Sequence, residues 1–247
     1  MDKGQLDWER FARLDAKWAI LTRAEKKHHR WDEKEFFATG TTEIGIFLEK
    51  LKELGISVSL GEALDFGCGI GRLTQGLGGN FEKVTGVDIS QEMIRQAERV
   101  HRDNGRLSFV HNPTGDLACF SSGQFDLVYS FITLQHVSSR EAIIGYLREF
   151  LRVLKPGGVL YFQLPTVRDY GVMRSALLRA RALVYGLLVR LGVPGELCFF
   201  RLRLAPYMHM NHIPSTEVRA LLEPAAAELH IENDRRTDTA YYLRKKE

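Results

Sequence analysis

The chain has 247 residues, 45% hydrophobic and 26% charged, which fits one α/β domain with a sizeable core and excludes a disordered or fibrous chain. A formal net charge of +3, with Lys and Arg dispersed apart from runs such as Lys26-Lys27-His28-His29-Arg30, by itself neither implies nor excludes a nucleic-acid partner. Three cysteines, Cys68, Cys119 and Cys198, without CxxC spacing, speak against a zinc site or a disulfide framework; with a polar start and no uncharged run of membrane-span length, the expected location is the cytoplasm.

From Leu6 to about Glu35 the residues Trp8, Phe11, Leu14, Trp18 and Leu21 recur every three to four positions and predict an amphipathic helix. Its aromatic stripe has two open readings, packing against the main domain or a lid over a ligand. Thr39-Gly40-Thr41-Thr42-Glu43 then reads as the cap of a helix over Ile44 to Leu54, ended by Gly55. Residues 1–56 are therefore expected to form a helical extension, with the main domain over 57–247.

The centre of the sequence is Ala63-Leu64-Asp65-Phe66-Gly67-Cys68-Gly69-Ile70-Gly71-Arg72-Leu73-Thr74, an apolar strand running into a glycine-dense turn and a helix start. Such a turn admits positive φ and bares the backbone, so a ligand can lie against its N–H groups. A second strand over Val84 to Asp88 ends in a carboxylate about twenty positions after the first glycine, placed to accept from a pair of ribose hydroxyls. Ser90 caps a helix through Val100, and Leu107 to His111 is a third strand. The fourth, Phe125 to Ser130, leads into Phe131-Ile132-Thr133-Leu134-Gln135-His136, and Ser138 or Ser139 starts a helix to Val153. Lys155-Pro156-Gly157-Gly158 turns into a strand over Val159 to Leu164. Regular alternation of strand and helix predicts a mostly parallel sheet. Residues 168–207, rich in Leu, Val and Arg, break the rhythm and read as an inserted helical cap. A helix over Ser215 to Leu222 and two strands, Leu229 to Arg235 and Thr239 to Arg244, follow; with no helix between them, the two strands make an antiparallel hairpin.

Four motifs in this order resemble the class I S-adenosylmethionine-dependent methyltransferases of small-molecule type: Asp65 to Gly71 after the first strand, Asp88, Gln124-Phe125-Asp126-Leu127-Val128, and Leu154-Lys155-Pro156-Gly157-Gly158. The resemblance covers about residues 60 to 165. It implies a Rossmann-like α/β fold with a seven-stranded, mostly parallel sheet and an antiparallel C-terminal hairpin, and S-adenosylmethionine as cofactor. By the same resemblance, Asp65 orders the glycine loop and approaches the methionine amino group, Gly67, Cys68 and Gly69 face the methionine moiety, and Asp88 binds the ribose hydroxyls. Ile89 and Met93 flank the adenine, Phe131 lines the sulfonium region, and Arg72 either pairs with the methionine carboxylate or stands exposed at the helix start. The family's adenine-binding Asp has no counterpart, because Pro113 stands there between Asn112 and Asp116. A nicotinamide enzyme is the distant alternative, lacking the third glycine it needs at Arg72. A methyltransferase-like protein that binds the cofactor or a partner without transfer is the nearer one.

Methyl transfer to a hydroxyl needs in-line positioning and a base. His136 is the candidate, since imidazole titrates near neutrality, and a structural role in closing the turn is the competing reading. His209 and His212, with Asp169 and Tyr170, are candidate substrate-binding residues at the rim of an acceptor pocket; a metal held by the two histidines lacks an accompanying carboxylate or Cys, and no metal is expected. The Asn/Asp-Pro-Pro-aromatic motif of nucleic-acid amino methyltransferases is absent after the fourth strand, so no nucleic acid is expected. The expected partner is a small-molecule acceptor, with O-methylation of a sugar, glycolipid, polyketide or other secondary-metabolite hydroxyl favoured. The cap is compatible with an apolar acceptor, a peripheral membrane contact or a homodimer.

Overall fold

A computed structural model describes residues 3–167, 172–208 and 210–247, the side chains of residues 3 and 172–175 excepted. Seven strands, β1 (Glu62–Phe66), β2 (Lys83–Asp88), β3 (Leu107–His111), β4 (Phe125–Ser130), β5 (Leu154–Gln163), β6 (Ala226–Glu232) and β7 (Ala240–Lys245), form one sheet in the order β3-β2-β1-β4-β5-β7-β6. Pairings from β3 through β5 are parallel, and β7 runs antiparallel to both β5 and β6. β7 therefore slots between β5 and β6 as the one reversed strand. The chain moves outward from β1 in both directions, which opens a crevice at the carboxyl ends of β1 and β4.

The alternation of side chains along each strand splits the core in two. Leu64, Phe66, Val128, Leu160 and Phe162 meet α5 (Arg140–Val153) and α8 (Ser215–Leu222) through Leu147, Phe150 and Val218. Ala63, Val84, Leu127, Tyr129 and Tyr161 meet α2 (Glu33–Glu53) and α3 (Arg72–Gly78) through Ile44, Phe47, Leu51 and Leu77 on the other face. α4 (Gln91–His101) starts at Ser90, whose hydroxyl accepts from the Met93 N–H, and Ser139 caps α5 by accepting from Ala142.

The N-terminal helices differ from the sequence expectation. α1 spans Lys3–Ile20 and is broken at Asp15, whose φ/ψ of −170°/78° is not helical. The buried Asp15 carboxylate accepts from the Trp18 and His29 N–H groups, so it caps the second half of α1 and holds the turn that follows. α2 begins at Glu33, capped by Asp32, and runs straight through the segment read as a cap. Gly40 sits there for packing: a Cβ would lie 2.0 Å from the Arg72 carbonyl oxygen. Beyond β5, α6 (Val172–Arg190) and α7 (Gly195–Phe200) form the cap, which seats Tyr185, Cys198 and Phe199 against Leu14 and Trp18 of α1.

Candidate active site

The carboxyl ends of β1, β2 and β4 open into a cavity of about 780 Å³, roofed by α1, the cap and the segment after it. Gly67, Cys68, Gly69, Arg72, Asp88, Ile89, Met93, Asn112, Phe131 and His136 all line it. Ten of the residues singled out in the sequence thus share one space.

The glycine loop works differently from the first expectation. Gly67 and Cys68 donate their N–H groups to the Val87 carbonyl at 2.8 and 3.1 Å, Gly71 donates to Cys68, and Gly69 donates to Asp88 Oδ2 at 2.9 Å. Those four amides hold the loop itself, and what it offers a ligand is bare Cα surface. Gly67 and Gly69 have φ of 77° and 54°; a Cβ on them would lie 2.1 Å from Thr133 and 2.5 Å from Ile20. Asp88 also accepts from the Ser90 N–H at 2.8 Å through Oδ1. A carboxylate can accept about four hydrogen bonds, so Asp88, which lines the cavity, has capacity for a ligand donor. Burial is the main influence on its pKa and pushes it up, against these N–H donors, which favour the charged form.

Three of the residues expected at the site stand off the cavity wall. Asp65 does not face the cavity: it is 1% exposed, its Oδ2 accepts from Thr74 Oγ1 at 2.7 Å, and it ties β1 to α3 beneath the loop. Burial pushes its carboxyl up to about 6. Asp116 lies off the cavity at the exposed end of its loop, accepting from Thr114 Oγ1 at 2.9 Å; Asn112 lines the cavity, with its amide donating to the Asp116 carbonyl at 2.6 Å. His212 also falls outside the lining, in a stretch whose described residues are not helical. Asp169, Tyr170 and His209 lie outside the described residues.

Arg72 is buried, not exposed. Its Nη1 donates to Thr39 Oγ1 at 3.2 Å, its guanidinium stands 5.9 Å from the Phe131 ring, and its buried Nε has no hydrogen-bond partner. Burial lowers its pKa, with Glu43 opposing. A buried cation with an unsatisfied donor at a cavity wall favours an anionic group there. His136 closes a short 3₁₀ turn, Leu134–His136. Its Nε2 lies 3.2 Å from Gln135 Nε2, and because an amide nitrogen only donates, the ring nitrogen accepts and the neutral ring carries its proton on Nδ1. Trp8 meets the ring edge-on at 5.4 Å. Just before it, Ile132 has φ of 56°, left-handed for a β-branched residue, a strain of about 1–3 kcal/mol concentrated at the cavity wall.

Part of the roof was legible in the sequence and part was not. Trp8, Phe11, Trp18 and Ile20 of α1 line the cavity, so the aromatic stripe both packs and covers. Thr133, Tyr146, Met208 and Met210 also line it, as do Lys27, Arg181 and Arg203, which come from three separate segments. α1 is fixed in place by Gln5, which donates to the Ile89 carbonyl, and by Glu9, which accepts from Ser90 Oγ and the Glu92 N–H.

Residues 64–162 match the family model described as a methyltransferase domain. This chain carries a methyltransferase domain of the S-adenosylmethionine-dependent class. The stretch includes the glycine loop, Asp88 and His136. Over 163 residues the chain is 27% identical to a ubiquinone biosynthesis O-methyltransferase of Bordetella avium, covering 66% of this chain and 61% of that relative; the chain thus spans about three-fifths of its length. The fold is that of a SAM-dependent methyltransferase from Methanosarcina mazei (23% identity, TM-score 0.51, covering 75% of this chain and 92% of that one). It is likewise that of phosphoethanolamine N-methyltransferase 1 from Haemonchus contortus (13% identity, TM-score 0.62, covering 98% of this chain and 48% of that one). One fold serves oxygen and nitrogen acceptors, so the acceptor must be argued from the site.

The methyltransferase domain's cofactor fits these residues. Asp88 offers carboxylate oxygens for a hydroxyl pair, Arg72 an unsatisfied N–H for a carboxylate, and the glycine loop a surface without side chains. A volume of about 780 Å³ lies within the usual range for cofactor and small-molecule sites. Among the described residues no group of three or more His, Cys, Asp or Glu side chains is placed to hold a metal ion.

Proposed function

We propose that the protein transfers a methyl group from S-adenosylmethionine to a hydroxyl of a small-molecule acceptor, without a metal. The observation that carries this reading is the shared cavity: Asp88, the glycine loop and Arg72 stand on its floor, and His136 stands on its wall under an aromatic roof. The similarity to ubiquinone biosynthesis O-methyltransferases supports an oxygen acceptor.

When bound, S-adenosylmethionine supplies an electrophilic methyl on a sulfonium. Asp88 and Arg72 orient the two ends of the donor, and the glycine loop lets it approach the main chain. Phe131 and Ile132 confine the region between them, and the roof excludes water. His136 takes the acceptor's hydroxyl proton at Nε2. The Gln135 amide faces that lone pair, so the hydroxyl must displace it. A base placed in this way contributes typically 10²–10⁴-fold.

A peripheral membrane contact through the cap belongs to the same reading. α6 contains no acidic residue, and Leu177, Leu183 and Leu187 are 58–71% exposed on it, with Leu191 just beyond its end 72% exposed. Among the described residues no helix is long and apolar enough to cross a membrane.

Calorimetry with S-adenosylhomocysteine should show binding that Asp88→Ala weakens by roughly a hundredfold, the scale of two lost hydrogen bonds to a charged group. His136→Ala should keep that affinity and lose about a hundredfold or more in methyl transfer from labelled S-adenosylmethionine to phenolic or sugar hydroxyls. A wild-type protein that does not bind S-adenosylhomocysteine would sink the reading. Binding without transfer to any acceptor would leave the non-catalytic alternative.

A further inference from the structure

Lys27, Arg181 and Arg203 are distant in sequence, yet all three line the cavity beneath the cap. Lys27 Nζ lies 4.7 Å from the Trp18 ring centroid and 4.5 Å from that of Phe199, held by two aromatic faces. Arg181 donates through Nη2 to the Arg203 carbonyl, which ties α6 to the loop after α7. Arg203 has φ of 55°, a left-handed conformation uncommon outside glycine and asparagine, so this loop is bent at the residue that brings its guanidinium to the mouth.

Among the described residues these three charges lack an answering carboxylate. None forms an ion pair with any Asp or Glu among the described residues. Asp15 is the acid whose charge acts on Lys27, and both its oxygens already accept main-chain N–H groups. Among the described residues lining the cavity, Asp88 is the single carboxylate, and it belongs to the glycine-loop end. The basicity of Lys27 is lowered first by burial and then by Arg181, with Arg203 adding to it. Like charges gathered at a concave surface focus a positive potential into it. The remaining wall there is apolar, with Trp8, Trp18, Tyr207, Met208 and Met210. The donor's own carboxylate has Arg72 at the floor, so the three cations of the roof are left for a second molecule.

We propose that the methyl acceptor is an amphipathic molecule with an apolar or aromatic body and an anionic group, a carboxylate or a phosphate, and that Lys27, Arg181 and Arg203 bind that group. Arginine's forked donors suit an oxyanion, and the lysine adds a point charge. The apolar body lies along Trp8 and the two methionines, with the hydroxyl turned toward His136. The anion can sit on a free metabolite or on a lipid headgroup. This rests on the methyltransferase reading above and narrows its acceptor.

The test is binding of phenyl phosphate and 4-hydroxybenzoate, with benzyl alcohol as uncharged comparator, each measured with and without saturating S-adenosylhomocysteine. The two anions should bind at least about tenfold more tightly than benzyl alcohol. Arg181→Gln/Arg203→Gln and Lys27→Gln should each remove most of that preference while S-adenosylhomocysteine affinity stays within about threefold. Thermal melts of the variants confirm folding, and a charge-restoring Arg181→Lys/Arg203→Lys variant should recover part of the preference. Equal binding of charged and uncharged probes, or anion binding untouched by the variants, would overturn the proposal. Vesicles of phosphatidylglycerol against phosphatidylcholine separate the sources. Charge-dependent vesicle binding together with soluble-anion binding places the anion on a lipid, whereas vesicle binding with no soluble-anion binding overturns the acceptor site and gives the arginines to the membrane surface. If S-adenosylhomocysteine fails to bind while the anions bind as expected, the methyltransferase reading falls and the anion site stands.

Discussion

The floor and the roof of the cavity are built of different materials. Along the floor the surface is main chain, bent by Gly67 and Gly69 at positive φ and held by hydrogen bonds among Val87, Asp88 and the loop's own amides. Along the roof it is side chain: Trp8, Trp18, Tyr207, Met208, Met210 and the three cations, carried by elements attached before and after the sheet strands that form the floor. A floor of main chain tolerates few residues and can be recognised in many proteins. A roof of side chains is replaceable piece by piece, and that is where the identity of an acceptor can change while the donor site stays the same.

The contrast predicts unequal sensitivity to single changes. Gly67→Ala should have the largest effect, because the new Cβ meets Thr133 at 2.1 Å and the residue must also hold φ of 77°. We expect about 2–3 kcal/mol lost in urea unfolding, and S-adenosylhomocysteine affinity reduced on the order of a hundredfold. Gly123→Ala is the control: φ there is 65° but nothing lies within 4 Å, so it should cost only about 1 kcal/mol and leave binding unchanged.

Trp8→Ala probes the roof at a half-buried side chain that meets His136 and, at 5.7 Å, Phe11. Stability should fall by about 1–2 kcal/mol, methyl transfer by about tenfold, and S-adenosylhomocysteine affinity by no more than about threefold. Trp8→Phe should recover most of the transfer. If Trp8→Ala instead abolished S-adenosylhomocysteine binding as Gly67→Ala does, floor and roof would be one site and the division would fail.

The same division explains what could be read from the sequence. β3, β4, α8 and the serine caps of α4 and α5 fall where their patterns place them, because local hydrogen bonding and apolar period decide them. The boundary between α1 and α2 did not, because Gly40 looks like a break and is a contact. Thr39 and Thr42 look like caps, yet their hydroxyls donate to carbonyls three and four residues back inside the helix. The resemblance implies that Asp65 approaches the ligand, but a motif gives a residue's position on a strand and not which neighbour its carboxylate takes, here Thr74. Lys27, Arg181 and Arg203 carry no local signal, and only the docking of α1 against α6 and α7 brings them together.

A purely electrostatic effect is expected from beneath the floor, and its sign is the informative part. Burial raises the Asp65 carboxyl from 3.8 to about 6, while in the unfolded chain it titrates at its ordinary value. The folded state therefore favours the protonated form. The associated stability is fully present below pH 3.8, is lost as pH rises toward 6, and stays lost above it. Asp65→Asn keeps an oxygen to accept from Thr74 and removes the charge. Its unfolding free energy relative to wild type should thus rise between pH 4.5 and pH 7.5 by about 1–2 kcal/mol, under the ceiling of roughly 3 kcal/mol that a two-unit shift allows. A variant less stable than wild type at pH 7.5 would mean that the ionised carboxylate is held by the loop above it, making Asp65 part of the donor site after all. Repeating the pair of measurements with saturating S-adenosylhomocysteine sharpens the result: a ligand ammonium near Asp65 would lower its pKa and erase the variant's advantage, whereas a carboxylate screened from the cavity by the glycine loop leaves that advantage as it was.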